Sequence, residues 1–238
     1  MPLKLEEVRD EQDFDQISPM LYAAFGQPYN SLRRWFMPVH TTVEAAIEAS
    51  KQRAIKNWKA HENLHWVKVT DPESGQIIGA AEWEIREQVD NTNEPQQPIN
   101  ARWHIEGSEE KEFTGKLLTS LKGFMKERMT RPHLELEQLV VHPDHRNQGA
   151  GRMLTEWGIQ KGDELGLESC VEAVLSAVPI YEKLGYGNVD GLDPDVSVAN
   201  PSKKWQEYAA DDLRVALMWR PACHNYREGT DRAPWLSV

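Results

Sequence analysis

The run Leu134-Glu135-Leu136-Glu137-Gln138-Leu139-Val140-Val141, followed by His142-Pro143-Asp144-His145 and then by Arg146-Asn147-Gln148-Gly149-Ala150-Gly151-Arg152, decides how this chain folds. The apolar run reads as a strand, and Met153, Leu154, Trp157 and Leu165 then give a helix its core face. Between them lies a short turn that opens the helix. The first N–H groups of a helix have no partner inside it, and the helix dipole adds partial positive charge there. Such a turn can hold a phosphate or pyrophosphate. Glycine at 149 and 151 keeps Cβ atoms out of the anion's way. The spacing departs from G-x-G-x-x-G, and no Gly-Lys-Ser/Thr follows, so neither the dinucleotide fingerprint nor a P-loop fits.

Working outward, Ser169-Cys170-Val171-Glu172-Ala173-Val174 reads as the next strand. Pro179-Ile180-Tyr181-Glu182-Lys183-Leu184-Gly185-Tyr186 follows as a short helix that Pro179 starts and Gly185 ends. The spacing L-x-V-x-P-x-x-R-x-x-G-x-G from Leu139 to Gly151, the strand after it and the Ile-Tyr-Glu-Lys-Leu-Gly-Tyr element together resemble the GNAT superfamily of acyl-CoA-dependent N-acyltransferases. The resemblance is close over roughly residues 134–187 and topological elsewhere. It implies an α/β fold, a single GNAT-like domain with a mixed central sheet flanked by helices. It also implies transfer of an acetyl group from acetyl-CoA, as co-substrate, to a primary amine.

The same resemblance distributes the site. Main-chain groups of Leu139, Val140 and Val141 would line the pantetheine arm, where the family splays its fourth and fifth strands. Arg146, Asn147, Gln148, Gly149, Ala150, Gly151 and Arg152 would take the pyrophosphate, with Arg146 either a ligand or a brace for the turn. Ser176, in Leu175-Ser176-Ala177, stands near where family members often carry Asn or Ser and would add a contact to CoA. Tyr181 corresponds to the family tyrosine that protonates the departing thiolate; the alternative is a packed tyrosine with its hydroxyl satisfied.

Amide formation from a thioester needs an uncharged amine, yet an alkylamine with a pKa near about 10.4 is mostly protonated at neutral pH. A base must take that proton. Glu137 is the candidate, two residues before Leu139 on the motif strand and close to where the family places its acyl group. The alternative is a strand carboxylate facing solvent. By a period of two, Glu135 and Glu137 share one face, and Leu134, Leu136 and Val140 the other.

With 238 residues and 27.3 kDa the chain is long enough for one full α/β domain, expected over residues 1–221 with an insertion at about 88–133 and a C-terminal tail over 222–238. No apolar run approaches the roughly 18 residues of a membrane span, and no signal pattern opens the chain, so no membrane partner is expected. Cys170 and Cys223 have no C-x-x-C or ligand spacing, which suits a reducing compartment: the cytoplasm, with the nucleus as a second place. His142 and His145 form an H-x-x-H without further ligands, so no metal is expected.

The net charge of −11, from 27 basic and 38 acidic side chains, argues against nucleic acid as a partner and suits a cationic amine. A small-molecule amine is the first expectation for the acceptor, and a protein N-terminus or lysine the second. A catalytically silent acyl-CoA-binding module is the rival from another class, and monomer or homodimer stays open. The aromatic loop of Tyr29, Trp35 and Phe36, with Trp83 and Trp103, offers either apolar walls for a small acceptor or core packing.

Elsewhere Leu3, Leu5 and Val8 suggest a first strand, and Phe14, Ile17, Leu21 and Phe25 recur at helical spacing across Pro19, which argues against one unbroken helix. Thr41-x-x-Glu44 has capping-box spacing. Residues 64–69 and 77–85 read as a hairpin. Gln88 to Asn100, with Pro95 and Pro98, leads into an added helix marked by Leu117, Leu118, Leu121, Phe124 and Met125. A loop with Asp193, Pro194, Pro201 and Trp205 precedes a last alternating strand at Leu213, Val215, Leu217 and Trp219.

Overall fold

Hairpin chemistry starts the sheet. At the 71–75 turn the Asp71 carboxylate accepts from the Glu73 N–H (3.0 Å) and the Ser74 hydroxyl (2.7 Å), and Gly75 takes a φ of 72°. The computed structural model describes residues 2–27, 31–89 and 96–236; Tyr29 and Pro95 lie outside them. Strands β1 (Lys4–Glu7), β2 (Leu64–Thr70), β3 (Ile77–Arg86) and β4 (His133–Val141) run antiparallel. Strand β5 (Glu168–Val174) joins β4 in parallel, and β6 (Gly187–Leu192) and β7 (Val215–Arg220) complete a seven-stranded mixed sheet in the order β1-β2-β3-β4-β5-β7-β6.

Helices cover both faces. On one, α5 (Ala150–Leu165) and the short α6 (Val178–Glu182) lie against Val67, Ala81, Trp83, Leu134, Leu136, Val171 and Met218. The fit is close: a Cβ on Gly158 would come within 2.2 Å of Trp83, whose indole also donates to the Leu154 carbonyl at 3.2 Å. Gly158 therefore sets how near α5 can approach the sheet. The opposite face carries α1 (Phe14–Ala24) and α3 (Val43–Ala60) over Trp66, Ala80 and Val140. Beside them α2 (Arg33–Phe36), α4 (Glu109–Arg128) and α7 (Lys203–Ala209) build a second core around Trp35, Phe113 and Leu117. Each large apolar side chain sealed in these layers contributes about 1.5–3 kcal/mol.

Local chemistry corrects several sequence expectations. Pro19 lies inside an unbroken α1, in its second turn. The α3 cap is Thr42, whose hydroxyl accepts from the Ala45 N–H at 3.2 Å, so the capping position is one residue later than the Thr41-x-x-Glu44 spacing indicates. The stretch expected as a loop before the last strand contains β6 and α7. Two glycines, Asn188 and Asp190 hide β6 from propensity, and its pairing with β7 alone makes it a strand. Ser202 starts α7 by accepting from the Trp205 N–H at 3.0 Å. Strand β7 is buried along its whole length: Ala216 and Met218 join the core under α5, Val215 the core around Trp35, and Trp219 packs on Tyr226 and Trp235 of the segment 223–236, where Ala233 is fully buried.

Most consequential is β4. Leu136 pairs with Trp83 and Gln138 with Glu82, so Glu137 is the extra residue of a bulge. The bulge reverses the alternation. Leu134 and Leu136 before it and Leu139 and Val141 after it all face α5, whereas Val140 packs under α1 and α3. The expectation that Val140 shares a face with Leu134 and Leu136 fails for this reason.

Candidate active site

The bulge sits where β4 and β5 part. Their parallel pairing runs from His133–Glu168 to Leu136–Val171 and stops; beyond it β5 is held by β7 alone. The two strands thus form a fork whose first unpaired residues are Glu137 and Glu172. The fork opens into a groove of about 840 Å³ that runs from the start of α5 to the end of α1 and to Ser31 and Leu32.

That groove collects most of the residues marked in the sequence. Leu139, Val140, Val141, Arg146, Asn147, Gly149, Ala150, Gly151, Arg152, Ser176 and Tyr181 line it; Gln148 and Glu137 do not. Asn147 and Gly149 both take positive φ, 63° and 94°, which turns the chain sharply into α5. Gly149 is the N-cap, with no side chain to cap the helix, and the first helical hydrogen bond in line is from Met153 N–H to the Gly149 carbonyl at 3.0 Å. Among the described residues the N–H groups of Ala150, Gly151 and Arg152 have no protein acceptor. Three free donors at a helix start, beside a groove, fit an anion such as a pyrophosphate.

The two arginines have other engagements. Arg146 donates to the Ala24 carbonyl at 2.9 Å, tying the turn to the end of α1, and also lines the groove. Arg152 is mostly exposed and pairs with Glu156 one helical turn on, at 2.7 Å. At Gly151 an added Cβ would meet Val141 at 3.5 Å, ordinary contact, whereas at Gly149 space is open and backbone strain is the obstacle.

Tyr181 reaches the groove from α6. It is 9 % exposed, its ring meets Tyr186 edge-on at 6.0 Å, and among the described residues its hydroxyl has no hydrogen-bond partner. Burial pushes its pKa well up, so the phenol keeps its proton at neutral pH.

The other side of the fork is charged. Arg86 reaches Glu84 (2.6 Å), Glu135 (3.0 Å) and Glu137 (3.6 Å), and Lys122 of α4 reaches Glu135 (3.4 Å) and Glu137 (3.2 Å). Burial alone would raise Glu135, yet Lys122 and Arg86 hold it below the ordinary carboxylate value. Glu137, 27 % exposed at its side chain, is pushed up to about 7, first by burial and then by Glu135 beside it. Burial likewise raises Glu172 to about 8 and raises Glu82, which accepts from Trp66 Nε1 (3.1 Å) and Gln138 Nε2 (2.6 Å). The carboxyls Glu84, Glu135 and Glu137 lie close together, and Arg86 and Lys122 are their ion-pair partners.

Several lining or neighbouring residues escape sequence reading. Asp212 and Arg214 reach the groove from the loop before β7, where they form a two-pronged ion pair (2.8 and 2.9 Å), and Ser31 donates to the Asp212 carbonyl at 2.8 Å. Nothing local marks them, because only the tertiary fold brings 31 to 212. The aromatic residues considered as acceptor walls sit elsewhere: Trp83 is sealed under α5, Trp35 stacks on Phe113 at 4.4 Å, and Trp103 donates to the Trp35 carbonyl at 2.7 Å. Trp83 and Trp35 are core residues, Trp103 is partly buried against the same core as Trp35, and Phe36 is 38 % exposed outside the groove lining.

Three solved structures share this architecture. Arylalkylamine N-acetyltransferase 2 from Aedes aegypti aligns with a TM-score of 0.62 at 13% identity, covering 92% of this chain and 98% of the other. An agmatine N-acetyltransferase mutant aligns at 0.61 with 19% identity, covering 92% and 98%. The Drosophila melanogaster polyamine N-acetyltransferase aligns at 0.59 with 17% identity, covering 91% and 97%. At these identities the likeness is one of fold. No curated protein sequence matches the chain significantly. The model of the acetyltransferase (GNAT) family, by contrast, matches residues 29–186. The fork, the free donors at the start of α5 and this match lead to one conclusion: the chain belongs to the GNAT family of acetyltransferases.

Proposed function

We propose that this acetyltransferase moves an acetyl group from acetyl-CoA to a small cationic amine, with Glu137 as base and Tyr181 as acid. The observation that carries the reading is the fork itself. Its α5 side offers free backbone donors and a protonated phenol, and its α4 side offers carboxyls poised near neutrality. The free N–H groups of Ala150, Gly151 and Arg152 fit the pyrophosphate of CoA, with Leu139–Val141 and Ser176 along the rest of the groove. When bound, acetyl-CoA supplies an acyl thioester.

The chain's own groups supply the proton transfers. Glu137, with a pKa near 7, takes the proton that the ammonium must lose before its nitrogen can form the new C–N bond. Tyr181, which keeps its proton, delivers it to the sulfur as the C–S bond breaks, and the second proton, which the nitrogen sheds on becoming the amide, restores the phenol. The strongly negative chain favours arrival of a cation. Three solved structures of similar fold act, by name, on agmatine, polyamines or arylalkylamines, which supports a small amine, while one from Corynebacterium glutamicum is named with a histone acetyltransferase, which keeps a protein acceptor as the second reading.

A thiol-release assay with acetyl-CoA tests this against aliphatic amines, arylalkylamines and peptides. Release with at least one small amine, faster than with any peptide, is expected. Binding of CoA without release by any acceptor would mean a silent module, and release with peptides alone would move the acceptor to protein.

A further inference from the structure

We propose that the β4–β5 fork selects acceptors that carry a second positive charge, and that Glu172 is the residue that receives it. The inference deepens the amine-acetyltransferase reading and rests on it.

Charge at the fork does not balance. Glu82, Glu84, Glu135, Glu137 and Glu172 face Arg86 and Lys122 there, and the one further ionisable partner among the described residues, His133 at 4.0 Å from Glu135, is pushed by burial toward its neutral form. Arg86 satisfies Glu84 and Glu135, and Lys122 bridges Glu135 and Glu137. Glu82 has both oxygens taken by uncharged donors, Trp66 and Gln138. Glu172 differs from all of these. Its Oε1 is sealed from solvent without a hydrogen-bond partner, and among the described residues no ion pair reaches it. A buried acceptor left without a donor is costly, and a ligand N–H is one way to satisfy it.

Position gives that oxygen its meaning. Register makes Glu172 the β5 residue across from Glu137, the first pair past the end of the strand ladder. It lies within electrostatic reach of Lys122, Glu135 and Glu137. Lys122 shows that this space accepts an ammonium group, because its own Nζ sits between two of the carboxylates. Glu172 stands outside the lining of the groove but is only partly buried as a residue, so its carboxyl can turn to meet a ligand. A monoamine would use only Glu137. A diamine would present one nitrogen for reaction and leave a second, still protonated at neutral pH, for Glu172, whose buried carboxyl gives up its own proton as the ammonium arrives.

The test compares 1,4-diaminobutane with 1-aminobutane, which match in length and differ in that one charge. Parent enzyme should show a kcat/KM ratio of diamine to monoamine of about 10 or more, the value of one charge-assisted contact of roughly 1.4 kcal/mol. Glu172→Gln should bring the ratio close to one through the KM of the diamine, and Glu172→Asp should restore part of it. A parent ratio near one, or a ratio that Glu172→Gln leaves as it was, overturns the proposal while the acetyltransferase reading stands. Absence of thiol release from either amine, with CoA bound, overturns both.

Discussion

The two sides of the β4–β5 fork differ in what they offer a ligand. On the α5 side the free groups are backbone N–H donors and one neutral phenol, set on glycine-permitted geometry over Trp83 and Gly158. On the α4 side they are side-chain carboxyls, held by two cations that fall short of neutralising them. Backbone donors present one fixed pattern whatever side chains surround them, so that side suits an invariant co-substrate. Carboxyls can be added or removed by single substitutions, so the other side suits a variable acceptor.

If the division is right, damage to each side should have its own kinetic signature. The largest expected effect is that of Tyr181→Phe: acyl transfer in a single turnover should slow by about 10²–10⁴, with CoA affinity little changed. Equal single-turnover rates in variant and parent would make Tyr181 a packing residue. Glu137→Gln comes next, with a loss of about 10² at pH 7.5, the low end for acid–base catalysis. In the parent, kcat/KM should climb as pH rises through about 7, where Glu137 gives up its proton, and the variant should lack that limb and recover partly at high pH, where the amine ionises unaided. Superimposable pH profiles would sink the base assignment.

Gly149→Asp should weaken CoA binding by roughly 10–100-fold in titration calorimetry, since charge-assisted hydrogen bonds are worth about 1.5–3 kcal/mol. Gly149→Ala separates the causes. It adds only the strain of a side chain at positive φ, about 1–2 kcal/mol of stability, without the repelling charge. Should both variants bind CoA as the parent does, the turn is no anion site.

The smallest effect is one of stability. Glu172 has a folded pKa near 8, above its unfolded value, so as pH rises from about 4.5 the unfolded chain loses this proton first and folding weakens until pH passes about 8. Glu172→Gln removes that loss. Its Tm relative to the parent should therefore rise by a few degrees between pH 6 and pH 9, at about 2–4 °C per kcal/mol for a chain of this size. A pH-independent difference would show that Glu172 is not held protonated by its surroundings.

The same contrast explains what could be read from the sequence. The unit from β4 through α6 is legible because its signals are local: an apolar run, a glycine turn, helical spacing, then Pro179 and Gly185 bracketing a short helix. The groove along Leu139–Val141 and Gly149–Arg152 follows from that unit alone. Of the α4 side only Glu137, beside the motif, is legible, since Glu82, Lys122 and Glu172 come from three other elements and no spacing relates them to it. Even the facing of Val140 is misread, because a bulge leaves no residue-type mark; Glu137 looks like any strand residue until Leu136 and Gln138 are seen to pair with adjacent β3 residues. Strand β6 is missed for the related reason that its partner, not its composition, makes it a strand.

Strand β7 enters the sheet between β5 and β6, although it comes last of the three in the chain. On a ribosome, the β4–α5–β5 unit emerges with one long edge of β5 bare, and the residues that cover it, Val215–Arg220, are made only after β6 and α7. Until then that edge is an open template for another strand. A chain stalled or clipped before Val215 would carry the whole anion turn and still be prone to clump with its neighbours, so the yield of usable protein depends on the last part of the sequence more than the position of its chemistry suggests.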